Sequence, residues 1–321
     1  MANNLIVSTS PHLHSGASAR KIMLDVLIAL SPAAIASVVL FGLKALLIIA
    51  VSVGAAVLSE FLFNLIVKKE QTIGDLSAVV TGLLLALTLP ATTKWWQVMV
   101  GAVFAIVVVK CLFGGLGCNF ANPAITARIM MLISFGQNVG GGTATNFGSL
   151  ELTAGATPLA AMKAGVETTA LPSLFNMLIG NRGGAIGEGC AIALLLGLVY
   201  LLVRKVITWH TPAVFVGATF LLALACTGFN FTESLYHVLG GGLLIGAIFM
   251  ATDYVTSPIN KWGKVVFAVG CAVFTIIIRF LANLPEGVSY AILLMNILSP
   301  YIEKLCAPKP LGAAAKKGGK A

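Results

Sequence analysis

The chain has 321 residues, 58% hydrophobic and 10% charged, with a mean hydropathy of +0.99. Water-soluble domains carry roughly 25% charged residues, so this composition excludes one and indicates an integral membrane protein. The formal charge of +9 does not mark a nucleic-acid binder, because the basic residues neither cluster with aromatics nor form a recognition motif.

Crossing the hydrocarbon takes roughly 20 apolar residues per helix, and only helices or closed barrels satisfy the backbone there. Runs such as LKALLIIAVSVGAAV do not alternate and so predict helices. Ten spans are expected, at about 22–42, 43–67, 76–90, 95–113, 121–135, 185–203, 211–228, 237–252, 264–282 and 287–305. The segment Met1–Lys21 is polar and the run after it lacks a small-residue cleavage site, so the first helix is expected to be retained. With a cytoplasmic N-terminus, most of the 20 basic residues fall on the inside, Lys68, Lys69, Lys110 and Arg204 among them. That places both termini in the cytoplasm.

The chain then divides into a five-helix half at 1–135, an extracytoplasmic loop at 136–184, a second five-helix half at 185–305 and a basic cytoplasmic tail at 306–321. Odd numbers of spans per half predict inverted repeats. The third span of each half is short and interrupted near its end, at TGLLLALTLPATT (Thr81–Thr93) and IGAIFMATDYVTSP (Ile245–Pro258). Such paired broken helices mark candidate sites. The fold class is therefore all-α, with about ten transmembrane helices in two inverted repeats and one long outer loop, in which PLAAMKAGVETTALPSLFNMLIG predicts short interfacial helices.

Charged groups within spans need a reason to be there. For Asp25, Asp75, Glu188, Asp253 and Arg279, near span ends, snorkelling or helix capping suffices. Glu60 is read as an ion or proton relay or as a subunit-contact carboxylate, and Arg128 as an anion or cofactor contact or as half of a structural ion pair. In GLGCNFANPAITAR, Asn119 and Asn122 read first as caps of the helix that Pro123 begins, although a carboxamide also matches either edge of a heteroaromatic ring. His12 and His14 are spaced too loosely for a metal site without more ligands and read as interfacial or subunit-facing residues. Cys111, Cys118, Cys190, Cys226, Cys271 and Cys306 contain no C-x-x-C pair and read as core or unpaired thiols. Cys111 and Cys118 keep one alternative, two thiolates of a cluster shared with another subunit. No Walker loop, dinucleotide fingerprint or hydrolase triad is present.

The segments SPHLHSG, IMLDVLIALSP, TGLLLALTLP, GLGCNFANPAITAR, GATPLA and MATDYVTSP, in this order, span nearly the whole chain. Together they resemble the D subunits of Rnf electron-transport complexes, relatives of the B subunit of the sodium-translocating NADH:quinone reductase. The resemblance implies FMN joined by a phosphoester to Thr157, installed by an extracytoplasmic flavin transferase, with Gly155 and Ala156 leaving room for the transferase and the flavin phosphate. The sequence departs from the D-x-x-S/T-G-A-T pattern, with Glu151 for the aspartate and Ala154 for the hydroxyl residue. The resemblance further implies noncovalent riboflavin among the helices, making Asn119 and Asn122 ring contacts, with Arg128, Thr252 and Asp253 as further contacts. It implies a prokaryotic inner-membrane subunit, with the A, B, C, E and G subunits and lipids as partners, that passes electrons between flavins while the complex couples ferredoxin:NAD+ oxidoreduction to Na+ or H+ movement. Two other readings stay open on the residues alone: a cofactor-free channel or secondary transporter, and a structural anchor for redox subunits.

Overall fold

The computed structural model describes residues 18–144, 154–166, 171–282 and 286–307. His12, His14, Glu151 and the tail beyond residue 307 lie outside them. The chain is helical, and its first half holds α1 (Ala19–Phe41), α2 (Leu43–Val67), α3 (Ser77–Thr88), α4 (Trp95–Val103, continued by a π-helical stretch Phe104–Cys111) and α5 (Pro123–Phe135). The intervening segment holds α6 (Gln137–Gly140), strands β1 (Gly142–Thr143) and β2 (Ala154–Gly155), α7 (Pro158–Lys163) and α8 (Leu174–Ile179). The second half holds α9 (Ala191–Val203), α10 (His210–Cys226), α11 (Phe231–Leu239), α12 (Leu243–Ile245, continued by a π turn Gly246–Met250), α13 (Lys261–Leu281) and α14 (Val288–Leu305).

Among the described residues three helices, α1, α2 and α13, are long and apolar enough to cross a membrane, and α3, α4 with its π stretch, α5, α9 and α10 are shorter apolar helices. Together they describe a multi-pass membrane protein. Its surface agrees. Leu, Ile, Val and Phe side chains face outward along most helices, whereas small residues fill the contacts between helices. A Cβ at Gly82 would lie 2.9 Å from the Ser52 carbonyl oxygen and from the Val53 Cα, so the backbones of α2 and α3 approach closely, as small residues allow in lipid. The Ser52 hydroxyl donates to the Gly82 carbonyl at 2.6 Å across the same contact. All four tryptophans are exposed and stand at or just before helix N-termini, Trp95 and Trp96 on α4, Trp209 on α10 and Trp262 on α13, where an indole suits the membrane–water boundary.

The short, interrupted span expected at 237–252 is broken earlier than its sequence indicates. Its residues belong to two helices, α11 and α12, bent by 59° at Gly240–Gly242, where Gly241 and Gly242 have φ of 63° and 68°. The interruption lies at the start of IGAIFMATDYVTSP as well as at its end. A broken helix strands carbonyls that water cannot reach in lipid. Arg279 on α13 supplies the missing donors, to the carbonyls of His237, Gly240 and Gly241. Neither Arg279 nor Glu188 snorkels, as end-of-span positions had suggested, because both are buried. In the first half, α3 ends at Thr88 ahead of Pro90, as the restriction on residues before proline dictates.

Candidate functional site

The described residues present two places where polar groups converge. The first is a cavity of about 100 Å³, partly open to solvent. Its walls are apolar, from Met23 and Val26 on α1, Leu84 on α3 and Ile248 and Phe249 in the π turn. Its polar lining comes from Ser77, Thr81, Lys110, Asn119, Asn122, Thr252 and Asp253. Most of these groups stand at element ends: Ser77 opens α3, Lys110 closes the π stretch after α4, Asn122 precedes α5, and Thr252 and Asp253 come after the second π turn. A π turn adds a residue to the helical turn and re-aims the side chains beyond it, a feature frequent at functional sites.

Asn122 caps α5, its Oδ1 accepting from the N–H groups of Ala124 and Ile125 at 3.0 and 3.4 Å, and this use leaves its NH2 group uncommitted to the helix. The Asn119 NH2 donates to the Ala121 carbonyl at 3.0 Å. The Asp253 carboxylate accepts from the Val255 N–H and the Thr256 hydroxyl, while the Thr252 hydroxyl bonds back to the Ile248 carbonyl at 2.6 Å. Four of the residues singled out in the sequence, Asn119, Asn122, Thr252 and Asp253, therefore face one space. Arg128 is not among its lining residues. It pairs with Glu286 in the connection before α14, the structural ion pair that the sequence left open.

Beside the cavity lies a network that the sequence did not reveal. Glu60 on α2 is buried but not alone: Lys110 Nζ stands 2.9 Å from its Oε1. Lys110 also donates to the Ser77 hydroxyl at 2.6 Å. The Thr72 hydroxyl donates to the same Glu60 oxygen at 2.6 Å, and Thr72 in turn accepts from the Asn64 amide at 3.0 Å. Ser77 is joined to Asp75 through both its hydroxyl and its N–H. The reading of Lys110 as an inside-facing topology lysine is corrected, since it is 2% exposed. The signal that could have found it is a second charge in an apolar run, which composition counting assigns to a span boundary.

The second place surrounds Thr157. It is the N-cap of α7, its Oγ1 accepting from the Ala160 N–H at 3.2 Å. Strand β2 just before it pairs antiparallel with β1, and Thr143 of β1 bridges to Gly184 on its other side. Thr157 packs against β1 so closely that a Cβ at Gly142 would lie 2.8 Å from its Cγ2. The residue is 5% exposed, while neighbouring Ala156 is exposed. Gly155 is also less open than expected: it sits in the ladder, where a Cβ would meet that of Ala144 at 3.3 Å. Thr157 is not among the residues that line the cavity. Around this segment Arg182 donates to the Glu188 carbonyl at 2.7 Å, with burial lowering its pKa against the pull of the Glu188 carboxylate.

All six cysteines are free, with Cys111 buried and Cys118 exposed. No group of three or more metal-ligating side chains occurs among the described residues.

Comparison with known proteins gives the family. The pattern of the NQR2, RnfD, RnfE family matches residues 6–312. The chain is 42% identical to the D subunit of the Na(+)-translocating ferredoxin:NAD(+) oxidoreductase complex of Acetobacterium woodii, with 99% of each chain covered. It is 37% identical to the D subunit of the proton-translocating ferredoxin:NAD(+) oxidoreductase complex of Clostridium ljungdahlii, with 97% of each covered. It is 34% identical to the D subunit of the ion-translocating oxidoreductase complex of Stutzerimonas stutzeri, covering 93% of this chain and 94% of that one.

Proposed function

The chain belongs to the NQR2, RnfD, RnfE family, and from that premise we propose that it is the membrane subunit of an ion-translocating ferredoxin:NAD+ oxidoreductase complex, carrying electrons between two flavins. The other subunits of that complex are its partners, and ferredoxin and NAD+ bind elsewhere in the assembly. The observation that carries this reading is the cavity, in which two carboxamides, a threonine and an aspartate line an otherwise largely apolar space. A flat heteroaromatic ring with donors and acceptors along one edge needs such a combination. Asn119, Asn122, Thr252 and Asp253 would hold noncovalent riboflavin there, its ring supplying reversible electron storage, while the protein supplies burial and orientation.

For the covalent flavin the acceptor is the Thr157 hydroxyl. The chemistry fits, since Thr157 offers an alcohol oxygen beside exposed Ala156. Exposure does not fit in this arrangement, because Thr157 itself is buried against Gly142. A flavin transferase therefore meets this segment before it docks, or after the 142–143 and 154–155 ladder has opened. The proposal includes the prokaryotic inner membrane, cytoplasmic termini, an extracytoplasmic Thr157 segment and two inverted halves of five spans, in which α11 and α12 make one bent span. Relatives named for Na+ and for proton translocation are 42% and 37% identical to this chain, so overall similarity does not select the ion.

The test is in-gel flavin fluorescence of the denatured chain, with the flavin transferase present, beside acid extraction of the native complex. Covalent fluorescence that vanishes in Thr157→Ala, together with riboflavin released by acid, supports the reading. Wild-type chain without either flavin sinks it.

A further inference from the structure

We propose that Thr72, Glu60 and Lys110 form a proton path from the surface segment at residues 68–76 into the cavity, with Lys110 as the group that hands the proton to the cavity's occupant. The inference rests on the reading of that cavity as a flavin site.

The path is continuous and has two distinct ends. Thr72 is exposed and its hydroxyl lies 2.6 Å from Glu60 Oε1. Lys110 Nζ lies 2.9 Å from the same oxygen and lines the cavity together with its other partner, Ser77. Solvent meets one end and the occupant the other, with Glu60 and Lys110 1% and 2% exposed between them. The titratable and charged groups around it are Asp75, joined through Ser77, Lys69 and Cys111 near the pair, and Asp253 across the cavity.

Two plainer roles account for less. A structural brace is poorly served by the pair, since a buried ion pair is often no more stabilising than apolar residues of similar volume, and a brace needs neither a surface hydroxyl nor a cavity. As a cation site, Glu60 already has its charge matched by an ammonium group in contact with Oε1. Its other oxygen, Oε2, is buried with no partner among the described residues. A buried polar atom without a partner calls for an explanation, and a carboxyl that is periodically protonated needs a second oxygen free to hold the proton. The π stretch that ends beside Lys110 is of the kind that re-aims a side chain at functional sites.

Protons and charge balance over one cycle. When a one-electron donor of the complex makes the occupant more basic, Lys110 Nζ gives up one proton and becomes a neutral amine. Glu60, having taken one proton through the Thr72 hydroxyl, passes it to Lys110, restoring the ammonium and the carboxylate. One electron arrives at the occupant, one proton enters from the surface, and the path regains its starting charge.

The experiment uses the purified complex, reduced with excess dithionite in a stopped-flow instrument, with proton uptake followed by a pH indicator and flavin reduction by absorbance. The double variant Glu60→Gln/Lys110→Met removes both charges and so leaves no unpaired ion. It is expected to slow reduction-linked proton uptake per bound flavin roughly tenfold or more, with Thr72→Val, which lies outside the cavity lining, slowed less and keeping its acid-extractable flavin. Uptake at the wild-type rate in the double variant, with flavin retained, overturns the path. If the double variant does not assemble, Thr72→Val decides the matter alone, and an unchanged rate there overturns the proposal equally. Failure of the underlying reading shows differently: either wild-type complex releases no noncovalent flavin, or Asn119→Leu keeps it fully. In both cases the path has no acceptor and falls with that reading.

Discussion

Arg128 on α5 is ion-paired with Glu286, 158 residues further along, in the connection that leads into α14. The contact joins the last helix before the intervening segment to the second half of the chain, and α5 also packs directly on α14. Burial pushes the Glu286 carboxyl up, against the pull of the Arg128 guanidinium.

Removing one partner of this pair leaves the other largely buried without its counter-charge. Glu286→Gln is expected to destabilise the detergent-solubilised protein by about 3–5 kcal/mol, whereas Arg128→Met/Glu286→Gln recovers most of the loss. Thermal unfolding of the two single variants and the double variant checks this. A double variant as unstable as the sum of the two singles would remove the pair from the account of what holds the halves together.

Under the proposed function, flavin attachment at Thr157 needs a hydroxyl and access to it. Thr157→Ser is expected to keep covalent fluorescence and Thr157→Ala to lose it. Gly142→Ala introduces a methyl group 2.8 Å from Thr157 Cγ2 and 2.9 Å from the Gly155 carbonyl oxygen, so the ladder must shift. If opening of this segment limits flavin transfer, Gly142→Ala speeds labelling by a fixed amount of transferase. A slower or equal rate would show that the segment is modified before it docks.

Asn122 caps α5, and the proposed function gives it a second, separable role as a flavin contact. Asn122→Ser retains a capping oxygen for α5 and deletes the amide, so stability should hold to within roughly 0.5 kcal/mol while noncovalent flavin is lost. Asn122→Ala should lose both flavin and about 1 kcal/mol. Flavin content after gel filtration, read beside thermal stability, separates the two, and retention of flavin by Asn122→Ser would assign the residue to capping alone.

The α2–α3 contact has no space for a side chain at Gly82, where the nearest obstructing atoms are backbone. Gly82→Ala is expected to cost about 1–3 kcal/mol through overpacking, more than Ser52→Ala, which removes one hydrogen bond worth about 1 kcal/mol. Equal costs in a melting experiment would mean that the two helices separate freely.

Much of the fold is legible in the sequence. Apolar runs, prolines and glycines are local signals, and α2, α13 and α14 fall within a few residues of where hydropathy put them. The bend between α11 and α12 was missed because Gly240–Gly242 lies within an apolar run, and hydropathy registers no direction. Glu60 was visible as an isolated charge, but Lys110 was hidden by its position beside a span end. Residue type alone cannot distinguish a lysine that reaches water from one turned inward by a π stretch.

The sequence by itself determined the membrane character, the helical class, the family and the candidate hydroxyl at Thr157, because each depends on composition or on contiguous residues. Tertiary structure alone decided that Glu60 meets Lys110 across 50 residues, that Asn119 and Asn122 face the same cavity as Thr252 and Asp253, and that Thr157 is buried against Gly142. Those relationships depend on how closely helices and loops pack and on where a helix breaks, and such distances are set by side chains far apart in the chain.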